Sequence, residues 1–153
     1  MVKTLSVAAI KDGTVIDHIP TGAAIIILQL LKLITKRHRV SIGLNLTSAS
    51  MGFKDLIKIE NRFLSEKETH DIAVFAPKST ISTIKNYKLV SKVNAQLPRM
   101  VERILVCPNL RCITHSEPVH TLFRVEERRA EVQLKCHFCE QIFERSEIKD
   151  YMP

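Results

Sequence analysis

VCPNLRC, residues 106 to 112, holds two of the chain's four cysteines, and CHFC, residues 136 to 139, holds the other two. The spacing is Cys107-x4-Cys112, then 23 residues, then Cys136-x2-Cys139. Each pair flanks a tight turn. Two such turns brought together offer four sulfurs at the corners of a tetrahedron, the geometry that Zn2+ accepts from thiolates at about 2.3 Å. Four thiolates close the coordination sphere, whereas a catalytic zinc keeps an open position beside three protein ligands. One structural Zn2+ per chain is therefore expected. His115, His120 and His137 lie nearby in sequence but are not needed to complete the set. A region of roughly 50 residues cannot bury enough apolar surface to offset its chain entropy, so a metal in place of a larger core is physically reasonable.

Two other uses of paired thiols compete with this reading. Disulfides belong to exported proteins, and the first residues, MVKTLSVAAIKDG, lack the long apolar core and small-residue cleavage site of a secretory signal. The cytoplasm is the expected compartment. Redox catalysis would suit the C-x-x-C form of CHFC, but no strand-then-helix pattern surrounds it, and Cys107 and Cys112 would go unexplained.

Upstream of the cysteines, residues 3 to 92 alternate between strand and helix signals. TLSVAAI reads as a short strand, KDG as a turn, and TVIDHI as a second strand or a continuation of the first. Pro20 opens a helix, with Thr21 as its cap, running through GAAIIILQLLKLI to about Ile34. Gln29 and Lys32 interrupt that apolar run short of the ~20 residues that span a bilayer, so it reads as a buried helix and no membrane partner is expected. VSIGLNL alternates with period two, and DLIKIENRFL continues as a strand with Ile59 and Phe63 on the face of Ile57. Ser65 with Glu68 fits a reciprocal capping box, and Pro77 ends the helix that follows. STISTIKNYKLVSKV closes the region as one or two strands. This is close to the β-α-β-β-α-β order of a split ferredoxin-like fold, an α+β arrangement with two helices on one face of an antiparallel sheet. VNAQLPRM, residues 93 to 100, reads as a linker. The expected division is a first domain at 1–97 and a small, β-rich four-cysteine domain at 98–153.

A composition of 45% hydrophobic and 25% charged residues excludes a disordered chain. Residues 1–97 hold 14 Lys and Arg against 7 Asp and Glu, while residues 98–153 hold 9 against 9, so the excess of +7 lies in the first part. An anionic ligand would be met there, unless the lysines only solvate the surface. A basic chain with four paired cysteines also suits a zinc-ribbon nucleic-acid binder. The cysteine region is, however, net neutral and lacks a basic stripe or stacking platform, so nucleic acid is not expected as a partner. No nucleophile-base constellation of an enzyme can be read from the order of residues.

Several segments carry a more specific message: GTVIDHIP (13 to 20), IGLNL (42 to 46), MGFKDLIKIEN (51 to 61), FLSE (63 to 66), NY (86 to 87), VCPN (106 to 109) and HSEPV (115 to 119). Together with both cysteine pairs they resemble the regulatory chains of aspartate carbamoyltransferase, from about Val7 to Phe143. The resemblance implies a non-catalytic chain with an N-terminal allosteric domain and a C-terminal zinc domain. Such chains bind nucleoside triphosphates such as CTP, ATP and UTP and pass the effect to separate catalytic chains that make carbamoyl aspartate for pyrimidine synthesis. It places Asp17 and Lys58 near the ribose, His18 and Lys92 near the phosphates, and Ile10, Val15, Tyr87 and Leu89 around the base. Lys54 matches a lysine linked to a second nucleotide or to phosphate. Where the family commonly has an asparagine that helps read the base, ISTI places Ser82, whose single hydroxyl offers less than a fixed donor and acceptor. Asn109, Arg111 and Glu117 correspond to contacts with the catalytic chain. A second regulatory chain is a further implied partner, pairing sheets edge to edge. With four glycines and no glycine-rich phosphate cradle, the nucleotide expectation rests on the resemblance.

Overall fold

The computed structural model describes residues 8–34 and 37–149. They form two compact units that divide between Gln96 and Leu97.

In the first unit the order is β1 (Gly13–Ile19), α1 (Ala23–Leu30), β2 (Val40–Ser48), β3 (Gly52–Glu60), α2 (Glu66–Phe75), β4 (Thr80–Lys85) and β5 (Lys88–Asn94). The strands lie in the order β2-β3-β1-β4-β5, all neighbours antiparallel. This is the ferredoxin-like sheet with β5 added outside β4. Alternation sets the two faces. Ile16, Ile57, Ile59 and Ile81 turn inward and pack with Ala24, Ile27 and Leu28 of α1 and Ile72 of α2. Val15, Lys58 and Ser82, each one residue along from those positions, belong to the face without helices.

Helix α2 has the expected capping box: Glu68 N–H donates to Ser65 Oγ at 3.2 Å, and Ser65 N–H donates to Glu68 Oε1 at 3.0 Å. Helix α1 departs from expectation at both ends. Its N-cap is Gly22, not Thr21, with φ at 91° and its N–H given to the buried Asp55 carboxylate at 2.9 Å. It stops at Leu30 because Lys32 takes a φ of 55°, with Lys32 N–H bonded to Gln29 O and Leu33 N–H to Leu28 O. Those bonds are a Schellman ending, usually carried by glycine. Ile34 lies beyond the helix and is 72% exposed.

The strand expected at residues 4–10 falls partly outside the described residues, and residues 8–10 are not extended into the sheet. Strand β3 ends at Glu60 because Asn61 adopts a φ of 58°, which leaves Phe63 outside the strand, beneath the Lys85 ammonium at 5.4 Å. Val93 and Asn94 finish β5, and Met100 begins the next strand, so the connection is shorter than the linker read from sequence.

Gly13 has a φ of 144°, and a Cβ there would sit 2.0 Å from the Ile59 carbonyl oxygen. Backbone on a central strand cannot yield as a side chain would. Gly13→Ala is expected to lower stability by about 2 kcal/mol or more. Urea unfolding would register this as a lower midpoint, and an unchanged midpoint would contradict the close approach.

The second unit contains β6 (Met100–Glu102), β7 (Leu122–Arg128), β8 (Glu131–Cys136) and β9 (Ile142–Glu144), paired in that order. Short 3-10 turns cover Ile113–His115 and Arg145–Glu147. Val101, Leu105, Phe123, Leu134 and Ile148 are buried, a small core for a separate unit. Among the described residues no helix is long and apolar enough to cross a membrane.

Candidate metal centre and ligand face

The four cysteines meet in the second unit. Cys107 and Cys112 lie at either end of the 108–111 loop, Cys136 ends β8, and Cys139 follows in the turn before β9. Their sulfurs all lie within 4.8 Å of one another. Cys107 Sγ is 3.8 Å from Cys139 Sγ, and Cys112 Sγ is 3.8 Å from Cys136 Sγ. An ion bonded to four thiolates at about 2.3 Å would hold its sulfurs about 3.8 Å apart in a regular tetrahedron, whereas a disulfide needs about 2.05 Å. The cluster fits a metal, and all four thiols are free of disulfides.

The turn at Ile113–His115 braces this cluster. Thr114 Oγ1 donates to Cys112 Sγ at 3.2 Å, and His115 Nε2 lies 2.8 Å from the Cys107 carbonyl oxygen. Burial resists ionisation of Cys112, but the Thr114 hydroxyl and backbone N–H and the neighbouring thiols outweigh it and bring the thiol down to about 7. Burial pushes the Cys107 and Cys136 thiols up, and crowding by neighbouring sulfurs adds to it. Four clustered thiols thus ionise together only when a cation compensates their charge. Neither Thr114 nor His115 announces its part in the sequence, beyond standing next to a cysteine loop.

The loop between Cys107 and Cys112 is shaped by Asn109, whose Oδ1 accepts from Arg111 N–H at 3.1 Å and whose carbonyl accepts from Cys112 N–H at 2.9 Å. Arg111 and Glu117 are exposed. Leu110 at the loop's tip is 85% exposed, an apolar side chain that the spacing of cysteines did not single out.

In the first unit the strand register gathers residues that are far apart in sequence. Val15 on β1 lies opposite Lys58 on β3 and opposite Ser82 on β4, and Ser82 lies opposite Lys92 on β5. Lys58, Val15, Ser82 and Lys92 therefore form one row across four strands, on the face without helices. Asp17, two residues along β1 from Val15, is bound by the Lys54 ammonium at 2.9 and 3.1 Å to its two oxygens. The adjoining bulge, with His18 at a φ of 57°, turns the His18 N–H onto Asp17 Oδ1 at 2.6 Å and brings its Nδ1 within 3.2 Å of Thr80 Oγ1. Burial works against the charged Asp17 carboxylate, but Lys54 and the His18 N–H prevail and hold it below its ordinary 3.8. Burial lowers the Lys58 ammonium from its ordinary 10.5, against the pull of Asp17. Lys58 Nζ also donates to the Ala8 carbonyl at 3.0 Å.

The remaining expected residues are less uniform. Tyr87 is 67% exposed in the β4–β5 turn, where Asn86 and Tyr87 have φ of 52° and 64° and their N–H groups bond to Asp12 Oδ1 and Lys11 O. Leu89 is 57% exposed at the start of β5, whereas Ile10 is buried.

Comparison with known proteins accounts for both units. Residues 5–96 match the family model for the aspartate carbamoyltransferase regulatory chain, allosteric domain, and residues 99–149 match that for the same chain's metal binding domain. An aspartate carbamoyltransferase regulatory chain of Photobacterium profundum is 47% identical over 146 residues, 95% of each chain. One of Vibrio cholerae is 44% identical over 146 residues, 95% of this chain and 94% of its own. One of Vibrio vulnificus is 46% identical over 146 residues, 95% of each. With two family models spanning nearly all of its length and relatives similar from end to end, the chain belongs to the family of aspartate carbamoyltransferase regulatory chains.

Proposed function

We propose that this regulatory chain, not itself an enzyme, binds nucleoside triphosphates of the CTP, ATP and UTP class in its first unit and adjusts the activity of aspartate carbamoyltransferase catalytic chains held by its second. The observation that carries the reading is the row Lys58–Val15–Ser82–Lys92 with Asp17 and Lys54 beside it. It spans three inter-strand spacings, about 14 Å, and sets cations at both ends of an uncharged middle. Lys92 and His18 serve the phosphates, Asp17 and Lys58 the ribose, and Val15, Tyr87 and Leu89 the base, with Ile10 supporting them from a buried position. Lys54, tied to Asp17, holds that carboxylate in place and supplies charge for a second phosphate group. Ser82, at the centre of the row, is placed to influence the choice between cytosine and adenine.

Cys107, Cys112, Cys136 and Cys139 hold one Zn2+, since thiolates in a closed tetrahedron suit that ion. With no open coordination position its contribution is structural. It fixes the loop of Asn109 and Arg111, which together with Glu117 meets the catalytic chain. A second regulatory chain completes the assembly, and the cytoplasm, where pyrimidine precursors are made and thiols stay reduced, is its place of work.

The test is calorimetric titration of the purified chain with CTP and with ATP. A hydrogen bond to a charged group contributes roughly 1.5–3 kcal/mol, so Lys92→Ala is expected to weaken binding about ten- to a hundred-fold. Unchanged affinity would remove Lys92 from the site, and no binding of any nucleotide by the unaltered chain would end the reading.

A further inference from the structure

The turn between β4 and β5 holds a backbone that its sequence does not favour. Lys85 pairs with Lys88 across a two-residue loop, and both residues of that loop, Asn86 and Tyr87, have positive φ, 52° and 64°. A loop of this form takes asparagine readily at its first position and glycine at its second; a tyrosine in the left-handed region is costly. Contacts outside the hairpin hold it there. Asn86 N–H donates to Asp12 Oδ1 at 3.1 Å, and Tyr87 N–H donates to the Lys11 carbonyl oxygen at 2.9 Å. The Lys11–Asp12 segment is itself anchored, since the Asp12 carbonyl accepts from Asn61 N–H at 2.9 Å and Gly13 enters β1 between Glu60 and Ile84. Lys11, Lys85 and Lys88 flank Asp12 and the turn, yet Asp12 makes no ion pair among the described residues. Its carboxylate works as a hydrogen-bond acceptor.

We propose that Asp12 is a positioning residue for the base end of the nucleotide site. The inference rests on the nucleotide reading above and adds the group that holds the Asn86–Tyr87 turn in shape before a ligand arrives. Tyr87, exposed at 67%, has little packing to fix it, so its place is set by its backbone. Buried Ile10 precedes Lys11, whose carbonyl binds Tyr87 N–H, so two residues assigned to the base are joined through one hydrogen bond. A turn that is competent only part of the time weakens apparent affinity by that fraction, and the unfavourable φ of Tyr87 promotes release once the Asp12 acceptor is gone. Electrostatics alone argues the opposite sign. A carboxylate beside a nucleoside triphosphate repels it, so removing that charge would by itself tighten binding.

The experiment titrates the full, metal-loaded chain with CTP and with ATP, for the unaltered chain, Asp12→Ala and Asp12→Asn, and follows amide exchange at residues 86 and 87 in each. Asp12→Ala is expected to weaken both nucleotides about fivefold, the factor that loss of one hydrogen bond commonly brings. Asp12→Asn, whose side-chain carbonyl accepts the same bond without the charge, is expected to bind as tightly as the unaltered chain or more tightly. Exchange at Asn86 and Tyr87 should quicken in the alanine variant and not in the asparagine one. A merely structural role would lower the urea midpoint but leave the affinity of the folded chain unmoved. Affinity in Asp12→Ala equal to or above that of the unaltered chain, or equal losses in both variants, would overturn the proposal and leave the proposed function in place. So would a loss of affinity without faster exchange at those two amides. If the unaltered chain binds neither nucleotide, both fall.

Discussion

Cys139→Ala is expected to strip the metal from the chain and unfold residues from about 100 onward while the first unit stays folded. Cys139 is the least buried of the four, so the substitution leaves little cavity behind and its effect isolates the loss of a ligand. That ligand sits 3.8 Å from Cys107 Sγ and helps to join the 108–111 loop to the β8–β9 turn. The unit's buried core is small, with Phe123, Leu134 and Leu105 among its largest members. Structural Zn2+ sites contribute roughly 10–16 kcal/mol of apparent binding energy, comparable to the ~5–15 kcal/mol net stability of an entire domain. Removing one ligand therefore removes more than the remaining contacts can replace. Metal content, amide exchange and nucleotide titration on one preparation provide the check: no bound metal, protection lost in the second unit, and nucleotide affinity retained in the first. Association with catalytic chains should also disappear. A variant that holds no metal and still assembles normally would show that the metal does not shape the docking surface.

The metal cluster was legible in the sequence because ligand spacing is local and its chemistry admits few alternatives. Capping of α2 was legible for the same reason: Ser65 and Glu68 satisfy each other's backbone groups within one turn. The ends of α1 were not, because both depend on backbone conformations that no residue type advertises. Lys32 occupies a position where glycine is the usual signal, and Gly22 is selected by Asp55, 33 residues away. Phe63 was misread for a related reason, since Asn61 breaks the strand's period of two. The row Lys58–Val15–Ser82–Lys92 illustrates a different limit. Lys58 and Lys92 are ordinary lysines in sequence, and Asp17 and His18 look like strand-end polarity; antiparallel register places the first two in line with Val15 and Ser82. Family resemblance pointed to these residues, and pairing between strands is what brings Lys58, Val15, Ser82 and Lys92 into one row.

Nucleotide binding regulates catalysis only if it is coupled to the catalytic chain, because binding without transmission would make the first unit a mere reservoir. An effector that binds all arrangements of the assembly equally well shifts none of them, so it must favour one. Coupling free energies of about 1–3 kcal/mol are typical and correspond to roughly five- to 150-fold changes in affinity. Thermodynamic linkage makes the effect reciprocal: whatever a nucleotide held by Asp17 and the Lys58–Lys92 row does to substrate binding, substrate must do to nucleotide binding. Lys92→Ala, expected to weaken nucleotide binding, should shift the concentrations at which this response occurs without abolishing assembly. The most direct measurement is nucleotide affinity in the assembled complex, with and without a saturating substrate analogue on the catalytic chains. A shift of about fivefold or more is expected, in opposite directions for an inhibiting and an activating nucleotide; identical affinities under both conditions, for every nucleotide that binds, would rule out coupling.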